Sequence, residues 1–415
     1  MKKLLSLMLS ILVCISLVSC QRPEDPNKVG TGSTGSNGEN GTDFHIGVIT
    51  GTASQSEDEL RGAEAMAKKY GEAKDGGIMV LKTYPDNFVA EQETTIQQIV
   101  SFADDPLMKV IIVHQAPPGT AAAFNQVKEK RPDILCFAAA TQEDPNLIGD
   151  AADLVVAVDQ ISRGYLIPHI VKELGAEKFV HVSFPRHLSD ELISLRKDVI
   201  EATCEEIGLE FYSETSPDPL SDVGVPGAQN FILEQMPAWV EKYGKNTNFF
   251  TTNTAQMEPI IKRTVELGSI FVEETSPISG YPGALGLDLS NEAGDWEAIL
   301  KKEEEDIIEK GASERIGTWA YSFGYSGTTA LVELGKKVAE GEADYKNLDD
   351  ITNAFSESTP GADWRTRWYV DRATREEKDN FAMVLQDTYV FGKGFMKATD
   401  IEIPDLYELL DSHNK

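Results

Sequence analysis

From His45 onward, short apolar runs alternate with amphipathic stretches, and the alternation comes in two successive sets. His45-Ile46-Gly47-Val48-Ile49 reads as a buried strand. Leu60, Ala63, Ala67 and Tyr70 then mark one helical face, behind Ser56 and Glu59 at capping-box spacing. Residues 78–81, 109–113, 134–140 and 154–158 read as further strands. The helices between them turn Ile96, Ile99, Val100 and Ala103 inward and run through 122–130. The second set opens with a helix over about 161–174. Strands follow at 179–182, 249–251 and 270–272. Helices separate them, one carrying Leu192, Leu195, Val199 and Ile207, the others at 231–243 and 259–267. Strands alternating with helices of about 10–15 residues predict parallel sheets covered on both faces. Two such sets predict two lobes.

The later pattern is less regular. Residues 296–308 form a charged helix in which Glu297/Lys301, Lys301/Glu305 and Lys302/Asp306 have i,i+4 spacing. The run Glu303-Glu304-Glu305-Asp306 reads as a solvated face. A strand is predicted at 316–321, a helix over 331–338, and late strands at 368–370 and 382–391.

The first 42 residues have a different pattern. Lys2 and Lys3 precede an apolar run over 4–17, interrupted by Ser6, Ser10 and Ser16 and closed by small residues and a cysteine. This is a secretory signal over residues 1–20, too short for a comfortable membrane span. Residues 30–42 contain only Gly, Ser, Thr, Asn and Glu, so 21–42 reads as a flexible tether. The ending Leu17-Val18-Ser19-Cys20 resembles the bacterial lipoprotein box. The resemblance implies that Cys20 becomes the acylated, palmitate-bearing first residue of the mature chain. The body would then work outside the cytoplasmic membrane, held to it, or to an outer membrane where the cell has one, by the lipid anchor alone.

Charge narrows the partners. The 415-residue chain carries 68 Asp and Glu against 38 Lys and Arg, a formal net charge of -30. Such a body repels nucleic acid and anionic lipid headgroups, so no nucleic-acid partner is expected. Of the four cysteines, Cys14 leaves with the signal and Cys20 is the expected anchor. Cys136 and Cys204 read as small buried apolar residues in different lobes.

The order of elements resembles the type I periplasmic-binding fold shared by bacterial solute receptors and sugar-responsive repressors. Val156-Ala157-Val158-Asp159-Gln160-Ile161-Ser162-Arg163-Gly164 looks like the family's first interlobe crossing. Phe249-Phe250-Thr251-Thr252-Asn253 looks like the second-lobe strand that ends at the ligand. Trp319-Ala320-Tyr321-Ser322-Phe323-Gly324, with Gly327, Ala330 and Leu331, looks like the return strand and helix. An uncharacterised family of bacterial lipoproteins with this fold is also a match. The resemblance implies an α/β fold of two Rossmann-like lobes with parallel sheets, joined by a multi-segment hinge. The first lobe is expected from 43–158 and 314–345, the second from 159–290 and 382–396.

In open α/β sheets ligands bind beyond the carboxyl ends of the strands, which nominates the site. Thr50, Gly51 and Thr52 end the first strand and either contact ligand or merely connect to a helix. His114 and Gln115 end the third, where Pro117, Pro118 and Gly119 also suit a self-packed turn. Thr141 and Gln142 end the fourth, without the Asp-Arg pair that many sugar receptors of the family carry near there. In the second lobe Arg186 and His187 follow a strand, with Arg186 either gripping an anion or standing exposed. Asn253 matches the family position that often bonds ligand. Trp319 and Tyr321 point to one side of the return strand, as a sandwich for ligand or as core. No His-Glu-x-x-His, Cys-x-x-Cys or phosphate-loop motif is present, and the six histidines lack metal-ligand spacing. No catalytic residue, cofactor or metal is therefore expected. The expected function is capture of a small polar ligand for an ABC transporter permease. The alternatives are a sensory subunit with the same cleft and an extracytoplasmic enzyme on the same scaffold.

Overall fold

The computed structural model describes residues 44–413. The expected signal, Cys20 and the tether lie outside the described residues. The described strands are β1 (His45–Thr50), β2 (Met79–Thr83), β3 (Met108–His114), β4 (Leu135–Ala139), β5 (Leu154–Val158), β6 (Lys178–Ser183), β7 (Glu210–Thr215), β8 (Thr247–Thr251), β9 (Phe271–Glu274), β10 (Ile316–Trp319), β11 (Trp364–Val370), β12 (Glu377–Gln386), β13 (Thr388–Val390) and β14 (Gly394–Phe395).

One sheet has the order β11-β12-β5-β4-β3-β1-β2. It is parallel from β12 to β2, with β11 antiparallel at the edge. Its middle strands are buried on both faces. Along β3, Val110 and Ile112 face one apolar cluster, while Ile111 and Val113 face another. That two-residue period is what a strand covered on both sides requires. The helices Ala53–Tyr70 and Phe323–Glu340 cover the first face. Gln92–Val100 and Thr120–Lys130 cover the second. Gly47 is needed in β1 because a side chain there would run into the Phe102 ring, 2.6 Å from where its first carbon would stand.

The remaining strands form β7-β6-β8 and β14-β13-β10-β9. The two pieces meet where Ile270 bridges Asn248. Phe249 N donates to Ile270 O at 3.0 Å, and Ile270 N to Thr247 O at 3.0 Å. Just beyond, the Asn248 side-chain oxygen accepts from Val272 N at 3.0 Å and takes the place of a ladder bond. The helices Gln160–Glu173 and Glu191–Ile207 cover one face of this assembly. Gly224–Tyr243, Met257–Leu267 and Trp296–Glu309 cover the other.

The chain passes between the two sheet systems at 158–160, 319–323 and 386–388. Asp159, at the first crossing, caps the helix Gln160–Glu173 through Ser162 N at 2.9 Å. It also takes a two-pronged ion pair from Arg367 on β11, at 2.6 and 2.8 Å. Burial would raise the Asp159 pKa, but the Arg367 charge and these hydrogen bonds bring it below its ordinary value.

Four expectations need correction. Residues 314–319 do not belong to the first sheet, because β10 bonds to β9 and β13. Residues 382–386 do not belong to the second, because β12 bonds to β5 and β11. The apolar run 382–391 looks continuous but changes sheets at Asp387, whose carboxylate accepts from Lys397 N and Ala398 N at 2.9 and 2.7 Å. The edge strand β7 has no apolar run to announce it; its residues are exposed or half-buried. Lastly, the acidic run at 303–306 is not all solvated. Glu303 is fully buried, and neither carboxyl oxygen has a described partner. Burial raises its pKa well above the usual carboxyl value. Glu304 accepts from Tyr389 Oη at 3.1 Å and from Gly392 N at 2.6 Å.

Cys136 on β4 and Cys204 on the helix Glu191–Ile207 are buried and free. Among the described residues no helix is long and apolar enough to cross a membrane.

Candidate functional site

The carboxyl ends of the two sheet systems face each other across a cleft. Its central cavity, about 400 Å³, is lined from the first side by Asp58, Glu59, Gln115 and Ala140. Thr254, Glu274, Thr275 and Ser276 line it from the second. A second cavity of about 610 Å³ shares Ala140 and Phe323 with the first. It extends between Thr141–Gln142 and residues 189–193 at the start of the helix Glu191–Ile207. A third, about 120 Å³, shares Thr254, Glu274 and Thr275 and reaches Gln160, Arg163 and Arg196. In front, a groove of about 850 Å³ between the helix Ala53–Tyr70 and residues 278–299 shares Glu57, Asp58 and Ile278. Shared lining residues set these spaces side by side.

Local backbone at the cleft floor is under constraint. Gln115 and Ala140, just past the ends of β3 and β4, hold φ of 52° and 49°. Left-handed backbone costs an ordinary L-residue roughly 1–2 kcal/mol, and such strain gathers where a site must be held in shape. Gln115 Nε2 donates to Glu59 Oε1 at 2.9 Å. The Asp58 carboxylate accepts from Ser276 Oγ at 3.2 Å and from Ser322 Oγ, so it ties one side of the cleft to the other. Burial raises the pKa of both Asp58 and Glu59, the hydrogen bonds offsetting part of the rise.

The predicted residues separate into three groups. Gln115, Thr141 and Gln142 line the cleft. Asn253 and His187 cluster at the second side's strand ends around Thr252, a residue not among those predicted, which also lines the smallest cavity. His187 Nδ1 lies 3.1 Å from Thr252 Oγ1, and Asn253 Nδ2 lies 3.4 Å from His187 Nε2. Asn253 is also a cap, its Oδ1 accepting from Ala255 N at 3.0 Å. Burial lowers the His187 pKa.

Others are structural. His114 is fully buried: Nδ1 is 2.6 Å from Thr328 Oγ1, the ring meets Phe323 edge-on, and burial lowers its pKa to about 3. It faces the helix Phe323–Glu340, not the cleft. Trp319 is fully buried, edge-on to Trp364 at 5.7 Å. Tyr321 Oη donates to Pro360 O at 2.8 Å. Of the two readings of this aromatic pair, sandwich or core, Trp319 takes the core one. Arg186 is held by Asp218 through bonds of 2.7 and 2.9 Å, which occupy its fork. Thr50 and Gly51 are buried beneath the floor, and Thr52 bonds Asp86.

Sequence reasoning missed Asp58, Glu59, Gln160, Arg163, Arg196 and Glu274. Arg163 and Gln160 stand inside the crossing segment and could have been found there. Arg196 sits mid-helix, where only packing reveals its direction. Among the described residues no three His, Cys, Asp or Glu side chains group to hold a metal ion.

Two lobes of helix-covered parallel sheet, three crossings and a cleft at the strand ends define a type I periplasmic-binding fold. Comparison with known proteins agrees. The chain belongs to the family described as "Protein of unknown function (DUF3798)", whose model matches residues 44–317. An uncharacterized protein of Treponema pallidum (strain Nichols) is 46% identical over 179 residues, 43% of this chain and 81% of the relative. A crystal structure of a protein from Clostridium difficile 630, provisionally named a transcriptional regulator, aligns with TM-score 0.74 and 26% identity. That alignment covers 84% of this chain and 99% of the other. A sugar ABC transporter structure from Actinomyces odontolyticus aligns with TM-score 0.52 and 10% identity, over 88% and 99% of the two chains, a likeness of fold.

Proposed function

We propose that this chain is a membrane-tethered, extracytoplasmic solute-binding protein. It captures a small polar ligand between its lobes and passes it to the permease of an ABC transporter. One observation carries this reading: a polar cavity of about 400 Å³ lined by side chains of both lobes at the strand ends, the place and size of a small-molecule site. The three crossings allow the lobes to hinge about it. The lipoprotein-box ending at Cys20 supports the tether, and the fold shared with a sugar ABC transporter supports the transport role. The relative provisionally named a regulator favours a second reading, in which the same cleft senses ligand for a membrane partner.

Mass spectrometry of the molecule retained by gently purified protein tests the first step. A released, chemically unchanged small molecule supports capture; one converted on incubation with the protein supports an enzyme. Pull-down from membranes then separates permease from sensory partner. Cys20→Ser should release the protein from membranes, and persistence after high-salt washing would refute the anchor.

A further inference from the structure

The front groove of about 850 Å³ differs in kind from the polar cavity beside it. One wall is the helix Ala53–Tyr70, which brings Asp58 to it. The other comes from the second lobe, with Ile278, Leu289 and Ile299. Leu289 belongs to the connection that leads into the helix Trp296–Glu309, and that connection is held in place. Lys302 Nζ donates to Asp288 O at 2.6 Å and pairs with Glu292 at 2.9 Å. Trp296 and Tyr325 also line the groove, their ring centroids 5.2 Å apart. Trp296 is only 7% exposed, and its indole Nε1–H is buried without an acceptor among the described residues. An indole N–H can only donate, and buried ones find a partner as a rule. One left open on a side chain that lines a cavity points to an acceptor arriving from outside.

The groove meets the polar cavity at Asp58, which lines both. There the Asp58 carboxylate accepts from the Ser276 and Ser322 hydroxyls, and Glu59 from the Gln115 amide. All three donors are neutral, and a charged donor makes the stronger bond to a carboxylate. We propose that the front groove is a ring subsite: the captured solute carries a flat ring that lies along Tyr325, Ile278 and Leu289, a ring-borne oxygen or nitrogen that accepts from Trp296 Nε1–H, and an amino group that reaches Asp58. The ligand class is a ring-bearing amine. This rests on the solute-capture reading and specifies its ligand.

Tyramine is the probe, a ring with one oxygen and an alkyl ammonium. Phenol supplies the ring alone and ethylamine the ammonium alone. Thermal melting of the full chain at constant ionic strength reads their binding. Tyramine should raise the melting temperature in a saturable way, phenol only at higher concentration, and ethylamine least of the three. Ala293 stands exposed on the groove wall, so Ala293→Trp should fill the groove and abolish the response, with the empty protein melting near wild type. Trp296→Phe keeps a ring and removes the N–H, and should weaken tyramine roughly fivefold, the worth of one hydrogen bond. Asp58→Asn should bring tyramine down to the level of phenol. No response to tyramine or phenol, or one undiminished in both Ala293→Trp and Trp296→Phe, overturns the subsite. A solute without a ring, retained equally by wild type and Ala293→Trp, would leave the receptor reading standing and remove this one. A tyramine response abolished by Ala293→Trp in a protein that captures no solute would do the reverse.

Discussion

The two lobes are built on one plan with different side chains at the cleft. The first sheet runs β5-β4-β3-β1-β2 from its middle to its edge, and the second runs β10-β9-β8-β6-β7, the same order five strands later. Each is extended by a late strand after the fifth, β12 parallel to β5 and β13 antiparallel to β10. The opposite sense follows from one strand path leaving the first lobe at the cleft and entering the second from it. The first lobe presents the carboxyls of Asp58 and Glu59, whereas the second presents the Glu274 carboxyl beside the guanidiniums of Arg163 and Arg196. Repetition of architecture therefore says where a ligand lies, and the side chains added at each strand end say what it is.

The largest effect should come from the joint that the lobes share. Asp159→Ala removes the partner of Arg367 and a helix cap together, and breaking a buried pair from one side costs about 3 kcal/mol. Denaturant unfolding should show that loss at pH 7. Because the Asp159 pKa is lowered in the fold, the difference from wild type should shrink as pH falls through the carboxylate range.

Each lobe also buries a neutral histidine, His114 in the first and His181 in the second, both brought to about 3 by burial. Their contribution is complete above pH 6.5 and is lost as pH falls from 6.5 toward 3, at about 1.4 kcal/mol per pH unit for each. His181→Phe, between Phe211 and Phe250, should flatten the fall in melting temperature between pH 6 and 4.5. An unchanged slope would mean that His181 is not held neutral.

Close helix packing in the second lobe gives a smaller effect. A methyl group at Gly164 would lie 2.8 Å from the Arg196 carbonyl and 3.0 Å from Val199 Cβ. Gly164→Ala should destabilise by about 2 kcal/mol in calorimetry, the usual range for overpacking. It should also disturb the position of Arg196.

Glu303 has no described counterpart in the first lobe. Glu303→Leu should stabilise by about 1 kcal/mol, because a buried polar group without partners costs free energy. With its pKa raised in the fold, Glu303 costs more as pH rises above about 4.5, so the gain should be larger at pH 8 than at pH 5. The smallest effect is expected for Arg186→Ala. Its fork is taken by Asp218 at the surface, so melting temperature and ligand affinity should both stay near wild type. Tenfold weaker binding would return Arg186 to the cleft.

Much of this architecture is written in local pattern. Continuous apolar runs such as 110–113 need burial on both faces, and amphipathic helices between them need a sheet to cover. The strand ends at Gln115, Thr141 and Asn253 follow from that rhythm, because side-chain periodicity acts over a few residues, and the crossing at Asp159 was implied by the resemblance to the type I periplasmic-binding fold. What the tertiary structure decided is which way the polar groups at those ends turn. His114 is buried by a helix some 214 positions away through Thr328. Arg186 is claimed by Asp218, 32 positions on. Gln160, Arg163, Arg196 and Glu274 meet only when two helices and two strand ends pack together. The sheet changes at 319–323 and 386–388 were equally hidden, since an apolar run is the same in either lobe. Burial pattern is a property of neighbours in sequence, whereas charge convergence is a property of neighbours in space, and only packing brings the second kind together.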